Sequence, residues 1–501
     1  MGATIGLVSC TVALIFGFFF FSYAVKYYAS TLIALLTLSN GAKKVEDVHY
    51  EERSEDPNSF PKISIHLPFY NEKNVAARII NACLNLDYPN YEVLIVDDSR
   101  DETIEILKNR KWLRKHPVVK FVHRSDRSGF KGGALTEALR CMDPRVDFVV
   151  IFDADFIPPR KILRHFLSEF QERLKDLGNN NPLSPSHVKP TAVVQGYQLH
   201  YLNKSYNWLT KGVRAEFSGS YMVERVAEEH FDALKMVSGS VFMIRADVLR
   251  SLNWSTSITE DWELTLRLYL EGFKVAYTPL IQAPAEIPTT VKALAKQRMR
   301  WAEGHTYSVK KYFTRILKSN KLTLSEKLEF LYFAPYYFQS LMLLIGTVCW
   351  LIAEINHKSP WFWTSSLGWS LLLTNFLAAP IMSLTGLFLE GDIRSDFDGV
   401  FSLIVLTYIL APYQGLAALK GLLEKEEGTW IRTLKTGSVT DKFLSIKLRR
   451  LLSWIRFGER LRHEIKPLKT TNPYLPIRRA FAGLCLILMF LPLTCFIMMV
   501  I

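Results

Sequence analysis

The chain has 501 residues, of which 49% are hydrophobic and 22% charged, and its formal net charge is +13. This length is too great for one ordinary domain and predicts several structural units. The apolar excess is concentrated at the two ends, whereas the middle has the composition of a globular domain. No zinc-ligand spacing and no nucleic-acid-binding motif occurs, so nucleic acid is excluded as an expected partner.

Cysteines and basic residues are unevenly distributed along the chain. The 6 cysteines are scattered and form no disulfide framework, which is typical of a reducing compartment. Residues 420–479 carry about fifteen Lys and Arg side chains. That density favours contact with an anionic membrane surface over contact with nucleic acid.

The N-terminal segment has the properties of a membrane anchor. Residues 5–25 are almost uncharged and long enough to cross a bilayer. They lack a basic start and an obvious small-residue cleavage site, so we predict an anchor within residues 1–40, not a signal peptide. Lys43 and Lys44 follow, which favours a cytoplasmic downstream side. The polar, acidic residues 41–61 are predicted to be a linker.

Residues 62–288 alternate between strand and helix patterns. After a strand and loop at 63–72, the strand patterns cover residues 91–99, 118–122, 148–152, 191–200 and 237–245. The helix patterns cover residues 74–86, 101–110, 132–142 and 205–231. Residues 177–190 are rich in Asn, Pro and Ser and predict a loop. The alternation predicts an α/β domain with a mostly parallel sheet and helices on both faces.

Apolar runs return after a predicted amphipathic region at 289–327. They cover residues 330–355, 361–389, 400–419 and 480–501, and each is long enough to span a bilayer. With the α/β domain in the cytoplasm, three crossings within 328–419 would place the basic segment 420–479 outside, against the charge rule. We therefore predict that 400–419 lies in the interface or re-enters the membrane, because residues 411–415 break the run. Residues 480–501 are predicted to be a C-terminal span.

Two carboxylates follow the most apolar strand of the domain. Asp153 and Asp155 are one residue apart, which places both on the same face at the carboxyl end of the strand. Open α/β sheets bind ligands at this position. Two close carboxylates both stay ionised mainly when a cation lies between them, which predicts Mg²⁺ or Mn²⁺. The alternative is a solvated turn after a core strand.

Asp97 and Asp98 end a second strand of the same predicted sheet. Since parallel strands end on the same edge, we expect these residues to converge with Asp153 and Asp155. Such convergence predicts a metal-assisted nucleotide site. Alternatively, Asp98 caps the following helix.

Lys131 belongs to a glycine-rich segment, residues 127–133, that begins a helix. Backbone N–H groups at a helix start bind anions, and Lys131 adds a full positive charge. A diphosphate is therefore the expected ligand. The alternative is a glycine loop selected only for its turn.

Glu260 and Asp261 begin a predicted helix at residues 262–271. Acidic side chains are favourable at this end of a helix for electrostatic reasons alone. The functional alternative is that Asp261 is a general base for a sugar hydroxyl, for which it must be ionised near neutral pH. The residues by themselves leave both readings open.

Gln297, Arg300 and Trp301 lie on a basic amphipathic helix that precedes the membrane segments. One reading is an interfacial helix with snorkelling Arg side chains and a Trp anchor. The other is a site in which Arg300 neutralises a departing diphosphate and Trp301 stacks on a sugar ring.

The order of these motifs resembles the membrane-embedded family 2 glycosyltransferases, which include cellulose, chitin and hyaluronan synthases. The segments LPFYNEKNV, VLIVDDS, RSGFKGGAL, VIFDADFIP and EIPTTVKALAKQRMRW are most similar to the cellulose-synthase-like glucan and mannan synthases. The likeness covers residues 62–312 and the layout of the membrane segments. The segment Lys131-Gly-Gly has glycine where the family often has alanine, and the C-terminal membrane region is shorter than in synthases that build a translocation pore.

The resemblance implies a GT-A catalytic domain on the cytoplasmic face. Its donor site would contain Pro68, Tyr70, Glu72, Asp97, Asp98, Lys131 and Asp153, with Asp153 and Asp155 at the metal. Asp261 would be the base. Glu260, Gln297, Arg300 and Trp301 would meet the diphosphate and the acceptor.

The implied reaction is the inverting transfer of a hexosyl unit from a nucleotide-diphosphate sugar to a growing β-linked polysaccharide. UDP-glucose is the first expected donor and GDP-mannose the second, with Mg²⁺ or Mn²⁺ as cofactor. The expected partners are the donor, a glycan or lipid-linked acceptor and membrane lipids, in the cell membrane or, in a plant, the Golgi membrane. The alternatives are a single addition to a lipid-linked or protein acceptor and an inactive membrane scaffold.

Overall fold

The computed structural model describes residues 2–38, 60–108, 117–179, 189–357, 365–430, 432–433, 435–441 and 475–500. Nearly all of the predicted linker, the core of the predicted loop at 177–190 and residues 442–474 of the basic segment lie outside these described residues.

Seven strands form one sheet in the order β3-β2-β1-β4-β6-β5-β7. They are β1 Ile63–Phe69, β2 Tyr91–Asp97, β3 Val119–His123, β4 Phe148–Ile151, β5 Thr191–His200, β6 Phe242–Arg245 and β7 Lys274–Ala285. Only β6 runs antiparallel to its neighbours, β4 and β5, so the prediction of a mostly parallel α/β sheet is confirmed. The strands are buried on both faces because helices cover both.

The helices of the α/β domain follow the strands as expected for crossover units. They are α2 Ala76–Leu84, α3 Thr103–Leu107, α4 Phe130–Cys141, α5 Ile162–Asn179, α6 Trp208–Gly219, α7 Arg225–His230, α8 Ala246–Leu252 and α9 Glu260–Glu271. The long helices α1 Gly2–Thr37 and α10 Val291–Lys318 flank the domain. After them come α11 Leu324–Phe333, α12 Phe338–Ile355, α13 Ser365–Glu390, α14 Ile393–Asp396, α15 Gly399–Leu423 and α16 Leu475–Val500.

The structure differs from the sequence prediction at four places in the domain. The predicted helix at 205–231 is interrupted by a π-helical segment, Ser220–Glu224, between α6 and α7. Helices α5 and α8 and strand β7 were not predicted at all. β7 carries prolines and pairs with β5 through two register shifts, so it lacks the regular alternation that identifies a strand.

Five of the described helices are long and apolar enough to cross a membrane, namely α1, α12, α13, α15 and α16. α1 packs against α12, α13 and α16, while α15 packs mainly against α10 and α6. The expected break at residues 411–415 is wrong, because α15 continues through Pro412 without interruption. Pro412 is tolerated inside a long helix whose other backbone bonds persist.

The two ends of α15 contact different elements. At its start, a Cβ on Gly399 would lie 2.3 Å from the Lys211 carbonyl oxygen of α6. At its end, Lys310 of α10 donates to the Leu422 carbonyl at 3.1 Å. α15 is therefore held by the α/β domain at its start and by the flanking helix α10 at its end.

A buried ion cluster joins α1 to the α/β domain. Lys26 of α1 lies 3.4 Å from Glu224 in the π-helical segment, 3.9 Å from Glu228 and 2.5 Å from Glu329. Burial and the neighbouring Glu329 raise the pKa of Glu228 to about 8. A lysine surrounded by three carboxylates therefore holds α1 in place, and one of those carboxyls keeps its proton near neutral pH.

Small residues allow α13 to contact the domain backbone directly. A Cβ on Gly386 would lie 2.4 Å from the Ser218 carbonyl oxygen. We predict that Gly386→Ala lowers the free energy of unfolding by about 1–3 kcal/mol because α13 and α6 must separate. Thermal melting of the detergent-solubilised protein measures it.

Gly483→Ala is the matched control, since no atom of the described chain lies within 4 Å of a Cβ at this position in α16. An equal loss of stability in both variants would contradict the packing argument.

Candidate active site

One cavity of about 1410 Å³ extends from the carboxyl edge of the sheet into the membrane helices. Nearly all of the site residues predicted from the sequence line it. They are Pro68, Tyr70, Glu72, Asp98, Lys131, Asp153, Asp155, Glu260, Asp261, Gln297, Arg300 and Trp301. The ends of three strands and segments of three helices therefore bring these distant residues into one cleft.

Asp97 is the exception among the predicted residues. Its side chain is fully buried, lies 2.8 Å from Nδ1 of His123, and accepts a hydrogen bond from the Ser99 N–H. It is not among the residues that line the cavity. The expectation that it converges with the other carboxylates is therefore corrected, because its oxygens bind the neighbouring strand end and its own loop. Its role at the donor stays a prediction.

Asp98 does face the cavity. It accepts two hydrogen bonds from the guanidinium of Arg124, one of them at 2.6 Å. It does not cap α3, where Asp101 instead accepts the Thr103 N–H at 3.0 Å. Burial raises the pKa of Asp98, although Arg124 opposes that shift.

Next to Asp98, a cation lies between two aromatic rings. The Arg127 guanidinium is 3.5 Å from the centre of the Tyr70 ring and 4.6 Å from the centre of the Trp430 ring. The Tyr70 and Trp430 rings are nearly perpendicular to each other, with 77° between their planes. The sequence analysis did not identify Arg127 or Trp430, because a cation–π contact between residues 127 and 430 leaves no local pattern.

Lys131 is the centre of the charge network. Its Nζ lies 2.8 Å from Asp153 and 3.1 Å from Glu260, and it donates to the Gly239 carbonyl at 2.8 Å. Although burial opposes it, the carboxylates of Asp153, Glu260 and Asp261 raise the pKa of Lys131. Lys131 therefore stays charged and neutralises carboxylates from two elements.

Close packing explains why glycine occupies the two positions after Lys131. A Cβ on Gly132 would lie 1.9 Å from the Ser255 carbonyl oxygen, and one on Gly133 would lie 2.0 Å from the Ser128 carbonyl oxygen. Alanine at either position would therefore require the backbone to shift, whether or not the loop also binds a diphosphate. This packing brings the first turn of α4 against the loop that precedes Asp261.

Asp153 and Asp155 lie on the same wall of the cavity with different partners. Asp155 is 2.6 Å from Nζ of Lys435 and accepts the Glu286 N–H at 3.3 Å. Burial would raise the pKa of Asp155, but Lys435 outweighs it and the net shift is downward. Burial raises the pKa of Asp153 despite Lys131.

These carboxylates fit a hard divalent cation only in part. No group of three His, Cys, Asp or Glu side chains able to hold a metal occurs in the described part of the chain. The protein therefore supplies two carboxylates, and the remaining ligands of a Mg²⁺ or Mn²⁺ ion would come from substrate phosphates and water, as is usual for these ions. Lys435 must leave Asp155 for such an ion to bind there.

Lys435 belongs to a segment, which we name the strap, that comprises the described residues between 427 and 441. The strap follows α15 and crosses the cleft. Glu427 accepts the Ile258 N–H at 2.9 Å, Arg432 lies 3.2 Å from Glu72, and the Gly437 N–H donates to Glu286 at 3.1 Å. The sequence analysis assigned these residues to a basic segment on the membrane, but this part of it contacts the cleft.

Asp261 lies in the first turn of α9, after the N-cap residue Thr259. Burial, reinforced by Glu260, raises the pKa of Asp261 to about 7. Arg300 donates to the Ile258 carbonyl at 3.5 Å and lies 5.0 Å from the Trp430 ring. An ionisable carboxylate with a near-neutral pKa thus lies beside a fixed cation.

The far wall of the cleft contains Arg298, Trp301 and His200. Arg298 lies 2.7 Å from Glu216 and 4.6 Å from the Trp301 ring centre. His200 was not identified from the sequence. Its Nδ1 lies 3.0 Å from the Gln198 carbonyl oxygen, and burial lowers its pKa to about 3, so the ring is neutral and Nδ1 carries the proton.

Comparison with known proteins identifies the domain. Residues 61–304 match the family described as "Glycosyltransferase like family 2". The chain is 28% identical over 299 residues to glucomannan 4-β-mannosyltransferase 7 of Arabidopsis thaliana, covering 58% of this chain and 51% of that protein. It is 30% identical over 282 residues to the probable glucomannan 4-β-mannosyltransferase 6 of Oryza sativa subsp. japonica, covering 55% of this chain and 46% of that protein.

The chain thus spans about half the length of the curated relatives it matches. A solved mannosyltransferase from Pyrobaculum calidifontis, in complex with GDP-Man and Mn²⁺, is 18% identical with a TM-score of 0.49 and covers 85% of this chain and 100% of that chain. That TM-score is too low to support an argument about ligands.

We predict that Asp155→Asn loosens the strap around residue 435, because Lys435 loses its carboxylate partner. Removing one partner of a buried ion pair costs about 3–5 kcal/mol, so amide hydrogen exchange in residues 435–441 should accelerate at least tenfold (~1.4 kcal/mol). Hydrogen-exchange mass spectrometry measures it.

Asp153→Asn is the matched control, since Asp153 pairs with Lys131 and not with the strap. Equal acceleration in both variants would show that the ion pair with Lys435 does not hold the strap.

Proposed function

We propose that the chain is a membrane-bound inverting hexosyltransferase, on the ground that residues 61–304 match the family described as "Glycosyltransferase like family 2". Its donor would be a nucleoside-diphosphate sugar and its product a β-linked glycan. The single observation that carries the proposal is the cavity in which Asp261, Arg300 and Trp301 lie together with Asp153 and Asp155. Such a transfer needs a general base, a cation that neutralises the leaving diphosphate and a surface on which a sugar ring can stack.

The donor's nucleoside would bind at the mouth of the cleft. Two aromatic rings and a cation are available there: the Arg127 guanidinium lies 3.5 Å from the centre of the Tyr70 ring and 4.6 Å from that of the Trp430 ring. Asp98 and the half-buried Glu72 supply hydrogen-bond acceptors in the same cavity. Lys131 and Arg300 would then lie at the diphosphate, where fixed positive charge is most useful because it acts in a cleft largely removed from water.

Asp153 and Asp155 would hold the divalent cation together with the donor's phosphates. When bound, such an ion supplies positive charge that stabilises the leaving diphosphate. Lys435 would exchange Asp155 for a phosphate oxygen as the ion enters, since a lysine ammonium pairs with either anion.

The chemical step is one displacement. Asp261 accepts the proton of an acceptor hydroxyl, and the hydroxyl oxygen forms a bond to C1 of the donor sugar. The bond from C1 to the diphosphate oxygen breaks with its electron pair, and Arg300 neutralises the leaving oxygen. Attack from the face opposite to the leaving group inverts C1, so an α-linked donor gives a β-linked product. Trp301 would orient the acceptor ring by stacking.

We propose GDP-mannose as the donor ahead of UDP-glucose, which reverses the order expected from the sequence. The support is that the relatives are named as 4-β-mannosyltransferases. The same names favour a polysaccharide acceptor. An inactive scaffold is disfavoured because the acidic and basic residues of the cleft form one charge-paired set.

We propose that the α/β domain and the strap share the cytoplasmic side. Four of the long helices would cross the membrane, with α15 at its surface, because this arrangement leaves the basic segment after Lys420 on the cytoplasmic side. If the source is a plant, the protein would be located in the Golgi membrane.

We predict that Asp261→Asn lowers kcat by about 10²–10⁴-fold, because the general base is lost. GDP-mannose affinity should change less than about twofold, since Asp261 touches the acceptor and not the nucleoside. Transfer of labelled sugar from GDP-mannose and from UDP-glucose, with and without Mg²⁺ or Mn²⁺, measures the reaction.

Asp247→Asn is the control, because this carboxylate lies on the exposed start of α8 and pairs only with Arg245 among its described neighbours. If Asp261→Asn transfers sugar near the wild-type rate, Asp261 is not the general base. If the wild-type protein transfers sugar from neither donor, the proposed function is wrong.

We predict that kcat/KM rises with pH below about 7 and levels off above it, because the pKa of Asp261 is raised to about 7 and only the ionised carboxylate accepts a proton. Since Glu260 contributes to this upward shift, Glu260→Gln should move the acidic limb to lower pH. A flat profile between pH 5 and 8, or an unmoved limb in Glu260→Gln, would contradict the assignment.

A further inference from the structure

The part of the cavity between the membrane helices is not used by the proposed reaction. On α12 its wall runs from Gln339 to His357, a rise of about 27 Å and close to the thickness of a bilayer's hydrocarbon core. α1 and α13 form its other walls over the same depth. The cleft at Trp301 opens directly into this space, so the site is continuous with the membrane interior.

The lining of this space is almost entirely hydrocarbon. Between the two ends the described walls carry no charged side chain, and the middle is formed by residues such as Phe16, Phe20, Leu343, Leu371 and Ala379. Charged groups return only at the ends, with Glu216 and Arg298 at the cleft and Glu354 and His357 at the opposite end.

The few polar groups at mid-depth are already engaged. The Thr347 hydroxyl donates to the Leu343 carbonyl at 2.7 Å, and the Asn375 amide donates to the Gly17 carbonyl at 3.0 Å. Among the fully buried polar side-chain atoms of the described walls at this depth, the Asn375 carbonyl oxygen is without a partner. A sugar chain has several hydroxyls per unit, each of which needs a hydrogen-bond partner when it is buried, and these walls do not supply them. A hydrocarbon chain needs none.

The space also opens sideways toward the bilayer. Trp350, Trp369, Leu372 and Phe376 line it and are 45%, 68%, 50% and 47% exposed, respectively. A chain that is dissolved in the membrane can therefore enter between α12 and α13 without crossing water. At the cleft end, Ser340 and Gln414 form a polar pair, with 3.0 Å between their side-chain oxygens, where hydrocarbon would give way to a head group.

We infer that the acceptor is lipid-linked: a sugar at Trp301 and Asp261, joined to a single hydrocarbon chain that lies between α1, α12 and α13. This inference rests on the proposed function and adds the acceptor's chemical class to it. The lipid-linked acceptor would start the glycan, and its tail would hold the first sugar at the cleft. The lateral opening lets it arrive from the bilayer and leave into it.

The test compares two acceptors that differ only in the tail, hexadecyl β-mannoside and methyl β-mannoside, with the full-length protein in lipid nanodiscs. We expect kcat/KM to be at least tenfold higher for the hexadecyl compound. Part of that preference could come from simple partition into the bilayer, so two variants of α12 separate partition from binding.

Thr347→Trp fills the space from an exposed position that lines it, whereas Val348→Trp adds the same bulk at the next residue, which does not line it and is 56% exposed. Thr347→Trp should reduce the preference for the hexadecyl acceptor about tenfold, and Val348→Trp should leave it unchanged. If wild type uses both acceptors equally, or if Thr347→Trp lowers use of both by the same factor, the inference is wrong.

Two further measurements keep this test separate from that of the proposed function. Hydrolysis of GDP-mannose without acceptor reports on the donor site alone. If the protein hydrolyses GDP-mannose but uses the two mannosides equally, the site for the lipid tail is refuted and the proposed function is not. Fluorescence of Trp350 and Trp369 should be quenched by a hexadecyl mannoside brominated in its tail, and not by the methyl compound with free bromoalkane. Equal quenching in both cases would refute the site without any turnover.

Discussion

The centre of this molecule depends on the pairing of buried carboxylates with cations from distant parts of the chain. An isolated ionised carboxylate in such a cleft is strongly unfavourable, so each requires a partner or a proton. Lys131 of α4 pairs with Asp153 and Glu260, and Lys435 of the strap pairs with Asp155. Asp261 forms no ion pair within the described part of the chain, and burial raises its pKa instead. The same constraint that stabilises the cleft therefore leaves Asp261 able to exchange a proton near neutral pH.

This pairing links the contents of the cleft to the position of the strap. A cation bound by Asp155 competes with Lys435, so ligand binding and strap position must depend on each other thermodynamically. Glu72 and Glu286 also hold the strap, through Arg432 and the Gly437 N–H. Loss of the contact at Asp155 would therefore loosen the strap more readily than it would detach the strap altogether.

The same type of contact joins the membrane helices to the domain. Lys26 fixes α1 to the π-helical segment, and the fully buried Arg214 pairs with Glu390 at the end of α13 and lies 3.3 Å from Asp392. Close backbone contact at Gly219 and Gly386 adds to this attachment. Because α1 and α13 are held in this way, the apolar space between them keeps a fixed position relative to Trp301 and Asp261.

The sequence by itself determined the α/β class, the strand ends that carry Asp98, Asp153 and Asp155, and the helices that carry Asp261, Arg300 and Trp301. Periodicity and turn chemistry are local properties, so they are readable without contacts. Only the tertiary structure decided that Asp97 turns away from the cleft, that Arg127 and Trp430 meet over Tyr70, and that Lys435 reaches Asp155. Those contacts join residues that are far apart in the chain, and no local pattern encodes which buried charge a distant segment will neutralise.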